Sequence, residues 1–330
     1  MKKRMGLILS FALFTGILSG CTGTPAENSQ MEASMAQTSN DDSESAWPRT
    51  VTDDFGHTIT LEQKPQRIVC LYFGHIEPLI VLGSPPVAAG WATTAMNGFG
   101  TLQPYAKEAE IIDLGNPREP NLEKILEAEP DFIVGTAFFT ERYEELNQIA
   151  PTLLFDSTDW KDNLNDYAAF LGAEKEAEEY IQQVDALMTT SREKLSAYRN
   201  KTFVIAWSQE KNTFGAFGSK ATSQQSFFDT ENGLGLTAPA GYPEKYGQIS
   251  LETMADWNPD SIFIVGQLGS EETGYQQTYL HKTTEESSVW KSLKAVQNGN
   301  VYFLDASCVT GSPLGVQLAI ETIVKNVDSQ

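Results

Sequence analysis

Histidine and cysteine are scarce in this chain, with three of each in 330 residues. No HExxH, GxSxG or P-loop pattern accompanies His57, His75 or His281, so the usual zinc-hydrolase, serine-nucleophile and phosphate-cradling sites are absent and an enzyme is not expected. Basic residues are also few, 23 Lys and Arg against 44 Asp and Glu, for a formal charge of −21. Such a surface repels phosphate backbones and anionic headgroups, which argues against nucleic acid as a partner and against a basic patch as a membrane anchor. No apolar run reaches the roughly 20 residues of a spanning helix. Glycine and proline are missing from one long stretch, Ala173 to Asn200, where nothing would interrupt a helix.

What is present begins at the N-terminus. Lys2, Lys3 and Arg4 precede an uncharged apolar segment from Met5 to Ile17, closed by Leu18-Ser19-Gly20-Cys21. Residues 1–20 read as a secretory signal. Its end resembles a bacterial lipobox, which implies cleavage before Cys21 and diacylglycerol on the Cys21 sulfur. Stable anchoring takes two acyl chains or two signals, and a diacylated cysteine meets that need. Without Lys2, Lys3 and Arg4 the charge becomes −24. Residues 21–49 are polar and aperiodic and read as a disordered tether. The expected location is the extracytoplasmic face of the cell membrane of a Gram-positive bacterium. Cys70 and Cys308 lie in opposite halves of the chain, and a bridge needs Cα atoms within about 7 Å, so they read as separate thiols.

The folded body starts near Thr50. Thr50–Leu61 alternates around Phe55-Gly56 and predicts a hairpin. Apolar strands (67–73, 87–91, 110–114, 131–134, 152–155) then alternate with helical stretches (77–82, 121–128, 143–149), the mark of an α/β unit. Ala173–Asn200 follows with apolar residues at i, i+3, i+4, i+7, a rod long enough to join two lobes. The pattern restarts with strands at 202–207, 261–265 and 300–304, and helices at 223–232, 250–257, 289–295 and 316–327. The expected domains are 50–172, the helix 173–199, and 200–330.

The halves echo each other. NLEKILEAEPD at 121–131 aligns without a gap on SLETMADWNPD at 250–260, matching Leu122/Leu251, Glu123/Glu252, Pro130/Pro259 and Asp131/Asp260. Each block leads into a buried strand, so duplicated architecture is expected. These blocks, with the opening TVTDDFGHTITL, PQRIVCL and the closing NGNVYFLDA, resemble the substrate-binding lipoproteins of ABC importers for ferric siderophores and cobalamin. The resemblance covers nearly everything after Thr50. It implies two Rossmann-like α/β lobes with central sheets joined by one long helix, the class III substrate-binding architecture, with ligand between the lobes. It also implies a monomer that docks on an ABC permease and its ATPase through one glutamate per lobe, here Glu123 and Glu252. Near helix starts such carboxylates are favoured by the dipole and suited to arginine partners, although both could simply cap their helices.

Around Glu119–Glu123 the resemblance is to ferric-hydroxamate receptors. It carries a ligand-contacting arginine onto Arg118, an aromatic onto Phe139, and a cleft tryptophan onto Tyr242 or Tyr246. Trp91 and Trp207 end predicted strands, where α/β sheets face their ligands, although a core place is equally open to them. Arg142 is a further candidate for ligand oxygens. The expected ligand is an Fe(III)–siderophore complex of hydroxamate type, with no cofactor and no metal held directly by protein. A neutral or cationic complex suits so acidic a receptor. Haem, with His281 or Met96 as axial ligand, and cobalamin are alternatives, and a zinc or manganese receptor is a more remote one, the histidine supply being small.

Overall fold

The computed structural model describes residues 47–106, 110–157, 159–220 and 227–329. The signal segment, Cys21 and the tether up to residue 46 lie outside the described residues. The hairpin is formed by β1 (Arg49–Thr52) and β2 (Thr58–Leu61), paired antiparallel with Arg49 opposite Leu61. Its turn is organised by Asp53, a buried carboxylate that accepts from the amides of Phe55 and His57 and from Leu154 N–H of the first-lobe sheet at 2.9 Å. Gly56 supplies the positive φ of +88° that this turn requires. His57 Nδ1–H donates to the Asp53 carboxylate at 2.8 Å and the His57 ring stacks on Tyr143, so it serves the turn.

The first lobe carries a fully parallel sheet. Its strands are β3 (Ile68–Cys70), β4 (Ala88–Ala89), β5 (Ile112–Asp113), β6 (Phe132–Gly135) and β7 (Thr152–Leu154), in the order β5-β4-β3-β6-β7. Four helices are interleaved with them: α1 (Ile76–Val81), α2 (Ala92–Gly98), α3 (Leu122–Glu127) and α4 (Tyr143–Asn147). After the sheet comes α5 (Trp160–Leu171), which was not anticipated. Its signals were present: Asp159 caps it by accepting from the amides of Lys161 and Asp162, Gly172 ends it at φ +65°, and Trp160, Leu164, Tyr167, Ala168 and Leu171 are buried.

The uninterrupted stretch forms α6 (Glu174–Leu195), 22 residues prolonged by a tighter turn at Ser196–Tyr198. At 1.5 Å per residue the α-helical part spans about 33 Å. Its buried residues Ala177, Val184, Ser191 and Leu195 run along one stripe.

The second lobe departs from a strict copy. Its strands are β8 (Phe203–Ser208), β9 (Thr213–Ala216), β10 (Gly247–Ser250), β11 (Ser261–Val265) and β12 (Val301–Leu304), ordered β10-β9-β8-β11-β12. The pairs β8–β11–β12 are parallel, whereas β9 is antiparallel to β8 and β10. The duplicated plan therefore holds for the parallel core and fails at one edge. Strands β9 and β10 escaped notice because each is four residues long and carries glycine, which weakens any alternating signal. The helices are α7 (Leu251–Trp257), α8 (Lys282–Glu286), α9 (Ser288–Ser292), α10 (Lys294–Gln297) and α11 (Pro313–Val327). The single helix expected at 289–295 is broken at Leu293, whose ψ of 136° is extended. Of the helix expected at 223–232, residues 223–226 lie outside the described residues, and 227–232 form turns.

The matched blocks have a shared physical purpose. Asn121 and Ser250 accept from Lys124 N–H and Thr253 N–H and cap α3 and α7. Glu129 and Asn258, both just before the matched proline, take left-handed φ of 47° and 42°. The matched aspartates then fasten each turn to the first strand of its lobe. Asp131 accepts from the amides of Gln66 and Arg67 at 2.8 Å each, and Asp260 from Thr202 N–H at 2.9 Å. Pro-Asp is thus both punctuation and staple.

A buried seam ties the lobes together. Glu77 of α1 accepts from Gly315 N–H in the first turn of α11 at 3.1 Å and from Thr101 Oγ1 at 2.5 Å. Burial pushes its carboxyl up, against the hydrogen bonds from Ser312, Thr101 and Gly315 that favour the charge. Beside it Gly100 N–H donates to Asp305, and Gln277 Nε2 donates to both Gly98 O and Asp305 at 2.7 Å. Cys70 and Cys308 are buried free thiols, and burial raises the pKa of both.

The Asp260 staple gives a testable pH dependence. Burial alone would push its carboxyl up, but donation from Lys294 (2.5 Å) and Thr202 outweighs burial and holds it below the usual 3.8. That stabilisation is complete above pH 3.8 and is lost as pH falls through the lower folded value. Asp260→Asn is expected to lose about 2 kcal/mol at pH 7, with the gap to wild type closing in denaturant titrations carried below pH 3.8.

Candidate functional site

Two hollows open at the carboxyl ends of the strands, one in each lobe. The lobes touch at the Gly98–Gly100 and Gln277–Asp305 seam, and each hollow lies at strand ends of the kind where open α/β sheets place ligands.

The first-lobe hollow encloses about 460 Å³. After β3, Tyr72 and Phe73 enter it, their rings 4.3 Å apart. After β4 comes Trp91, whose ring lies 5.8 Å from Phe73. Trp91 is 43% exposed and adopts φ +52° at the N-cap of α2. A left-handed tryptophan costs about 1–2 kcal/mol. The Trp91 N–H bond to Gly115 O and the Trp91 carbonyl bond from Ala95 N–H hold it there. An apolar ring held exposed in a strained conformation is a mark of a ligand wall.

The loop after β5 brings Arg118. Gly115 at φ +80°, Pro117 and Pro120 stiffen this loop, and Asn116 accepts from Arg118 N–H. The Arg118 guanidinium lies 5.5 Å from the centroid of Phe138 and makes no ion pair among the described residues. Phe138 is 70% exposed on the rim. Its neighbour Phe139, the residue singled out from sequence, is 2% exposed and packs into the second core cluster of the lobe. Residues 137–142 form a 3-10 turn, which sends adjacent side chains in different directions. Phe139 therefore forms the back of the hollow and Phe138 its open face. Arg142 does not line the hollow and pairs with Glu145 at 2.9 Å.

The second-lobe hollow, about 490 Å³, is bounded by Trp207 of β8 and by Gln209, Glu210, Gln248 and Gln267. Tyr246 stands beside it, half exposed, its hydroxyl accepting from Trp207 Nε1 (3.1 Å) and Gln209 Nε2 (2.6 Å). Gln248 donates to Gln209, and Gln267 to Ser208 O. Gly215 makes this wall possible, since a Cβ there would overlap both the Trp207 indole and the Tyr246 hydroxyl. Tyr242 has a different place. It is 7% exposed among Phe228 and Trp257, and its hydroxyl donates to Ile205 O at 2.9 Å. Of the two tyrosines proposed from sequence, Tyr246 borders the hollow and Tyr242 belongs to the core.

Tyr72, Phe73, Phe138 and the three glutamines were not singled out from sequence. Tyr72 and Phe73 could have been found, since they follow a buried strand directly. Gln248 carried no signal, because β10 was not recognised, whereas Gln209 and Gln267 follow the ends of strands that were expected. Met96 is buried, and His281 Nδ1 accepts from Thr283 N–H to cap α8. Among the described residues no cluster of three His, Cys, Asp or Glu is placed to hold a metal ion. The walls offer aromatic faces, amides and one guanidinium, which suits a ligand with an organic shell.

Glu123 and Glu252 are exposed in the first turns of α3 and α7. The caps are made by Asn121 and Ser250, so neither carboxylate is used in capping. Neither forms an ion pair among the described residues.

The two tyrosines should separate in a simple experiment. Tyr242→Phe is expected to cost about 1–2 kcal/mol, because Ile205 O loses a buried partner. Tyr246→Phe should change stability by less than about 0.5 kcal/mol. Urea titrations of both variants read the difference.

The sequence pattern of the periplasmic binding protein family matches residues 68–308. The chain is 28% identical over 312 residues to the "Probable siderophore-binding lipoprotein YfiY" of Bacillus subtilis (strain 168), covering 92% of this chain and 91% of that one. It is 27% identical over 319 residues to the iron(3+)-hydroxamate-binding protein FhuD of the same organism, covering 92% and 90%. Its fold is similar to that of the siderophore binding protein BauB, solved with a complex of two acinetobactin molecules and ferric iron, at a TM-score of 0.66, 24% identity, and 85% and 98% coverage. With 241 consecutive residues of two sheet-bearing lobes matched and the cleft between them included, the chain belongs to the periplasmic binding protein family.

Proposed function

We propose that this protein is the extracytoplasmic receptor of an ABC importer, and that it captures a ferric siderophore, of hydroxamate type, for delivery to the permease. The observation that carries this reading is the pair of hollows, one in each lobe, the first walled by Trp91, Phe73, Tyr72 and Phe138 with the Arg118 guanidinium, which has no ion pair among the described residues, the second by Trp207, Tyr246 and glutamines. Aromatic faces bury the organic backbone of a chelate, and Arg118 and the glutamine amides donate to its oxygens. The similarity to receptors named for siderophores and ferric hydroxamates points the same way.

The mechanism follows from how the lobes are joined. A continuous helix such as α6 resists bending more than loops do, and the Glu77–Gly315 seam adds a buried tie. Ligand entry then proceeds by small rocking of the lobes. The exposed, unpaired carboxylates of Glu123 and Glu252 are the proposed contacts for permease arginines, one on each lobe. Diacylation of Cys21 is the proposed anchor. No helix among the described residues is long and apolar enough to cross a membrane.

Trp91 and Trp207 make the ligand reading measurable. Their fluorescence is expected to be quenched by a ferric trihydroxamate at low micromolar concentration or below, and much less by haem, cobalamin or zinc. Quenching by one of those three in place of the hydroxamate would replace the ligand assigned here. For docking, Glu123→Ala with Glu252→Ala should leave quenching intact and lower cellular iron-chelate uptake at least tenfold. Unchanged uptake would remove the docking role.

A further inference from the structure

The aromatic hollow holds two charges that do not neutralise each other. Among the described residues lining it, Arg118 and Asp156 alone are ionised. No ion pair joins them, and neither side chain has another ionic partner among the described residues, so they stand more than 4.0 Å apart within one cavity. Asp156 follows β7 and Arg118 follows β5, the two edge strands of the sheet, and the Arg118 guanidinium reaches across to the Phe138 ring after β6, so both charges border the same aromatic floor. Asp156 is held in place through its backbone, the N–H donating to Asp54 Oδ2 at 2.7 Å, which leaves its own carboxylate free.

The surroundings reinforce one pole. Asp156 also borders a second hollow, lined by Asp54, Asp162 and Asp166 with no basic residue. The Asp166 carboxyl is pushed up to about 6, first by burial and then by the charges of Asp54 and Asp162, which stand with it behind Asp156. On the Arg118 side no such carboxylate lines the cavity.

We infer that Asp156 is a specificity-determining residue that selects ferric chelates carrying a pendant cation and rejects anionic ones. This rests on the ferric-siderophore reading above and names the charge class within it. The chelate oxygens meet Arg118, and a pendant ammonium meets Asp156 across the aromatic floor. An anionic citrate or catecholate complex would bring its charge toward the Asp156 carboxylate, and like-charge juxtaposition is an effective means of discrimination. Such selection weakens as salt screens the partly exposed carboxylate.

The test compares one chelate in two charge states. Ferric desferrioxamine B carries a free ammonium, and its N-acetylated form does not. Tryptophan quenching is expected to give the wild-type protein about a fivefold preference for the ammonium form at low salt, the upper end for an exposed charge pair, shrinking in 1 M salt. Asp156→Asn should abolish that preference, leave the acetylated form bound as before, and improve binding of ferric citrate. Asp162→Asn, which alters the acidic hollow but not the aromatic one, should keep most of the preference. A wild-type ratio near one, or a ratio that Asp156→Asn leaves unchanged, overturns the role of Asp156 while the receptor reading stands. Absence of quenching by either form, with quenching by haem or cobalamin, overturns the receptor reading and this inference with it.

Discussion

A buried carboxylate ties the last helix of the chain to the first lobe. Glu77 leaves α1 of the first lobe and meets the first turn of α11, taking a hydrogen bond from Gly315 N–H and another from Thr101. Burying a carboxylate is costly unless every lone pair finds a donor, and here the donors come from both sides of the lobe boundary. Separating the lobes would expose or orphan the charge, so the spacing of the two walls is strongly specified. The Gly98–Gln277–Asp305 contacts extend the same seam. Helix α2 runs from its N-cap Trp91, in the wall of the first-lobe hollow, to Gly98 at the seam, so the strained aromatic and the interlobe tie belong to one short element.

Within each lobe, the echoing blocks solve the same problem twice. A capped helix must reverse into a buried strand, and the carboxylate at Asp131 or Asp260 satisfies amides at the start of the adjacent central strand. The glutamates at 123 and 252 sit two residues after the cap in both copies, on exposed surface. Duplication thus delivers two similar carboxylates on two similar helices, an arrangement suited to a partner with two similar halves. The lobes diverge around their hollows: a parallel edge and aromatic loops in the first, an antiparallel β9–β10 edge with glutamines in the second.

Much of this was legible in advance. Most of the alternating strands and helices, the hairpin around Gly56 and the unbroken α6 rest on local periodicity and appear where the pattern put them, whereas the helix expected at 289–295 is broken at Leu293 and 227–232 are not helical. Helix α5 was missed despite an Asp cap, a Gly stop and a clear apolar stripe. Strands β9 and β10 gave no such pattern, because four-residue glycine-bearing segments acquire strand character only from their neighbours. Cleft residues were legible as types and less so as positions. An aromatic was expected at 139, yet the 3-10 turn presents Phe138. Tyr242 and Tyr246 were equivalent on paper, but the strand backbone at Ile205 claims the hydroxyl of one and leaves the other beside Trp207.

The amino-acid sequence alone determined the α/β class, the two-fold echo, the long joining helix and the acidic balance, since each of these is a matter of period or composition within a short window. Tertiary structure alone decided which rings line the two hollows, that Gly215 makes room for two of them, and that Arg118 and Asp156 share one hollow with no ion pair between them. Those outcomes depend on contacts between residues far apart in the chain, such as Trp207 with Tyr246 and Glu77 with Gly315, and no local pattern encodes a distance between them.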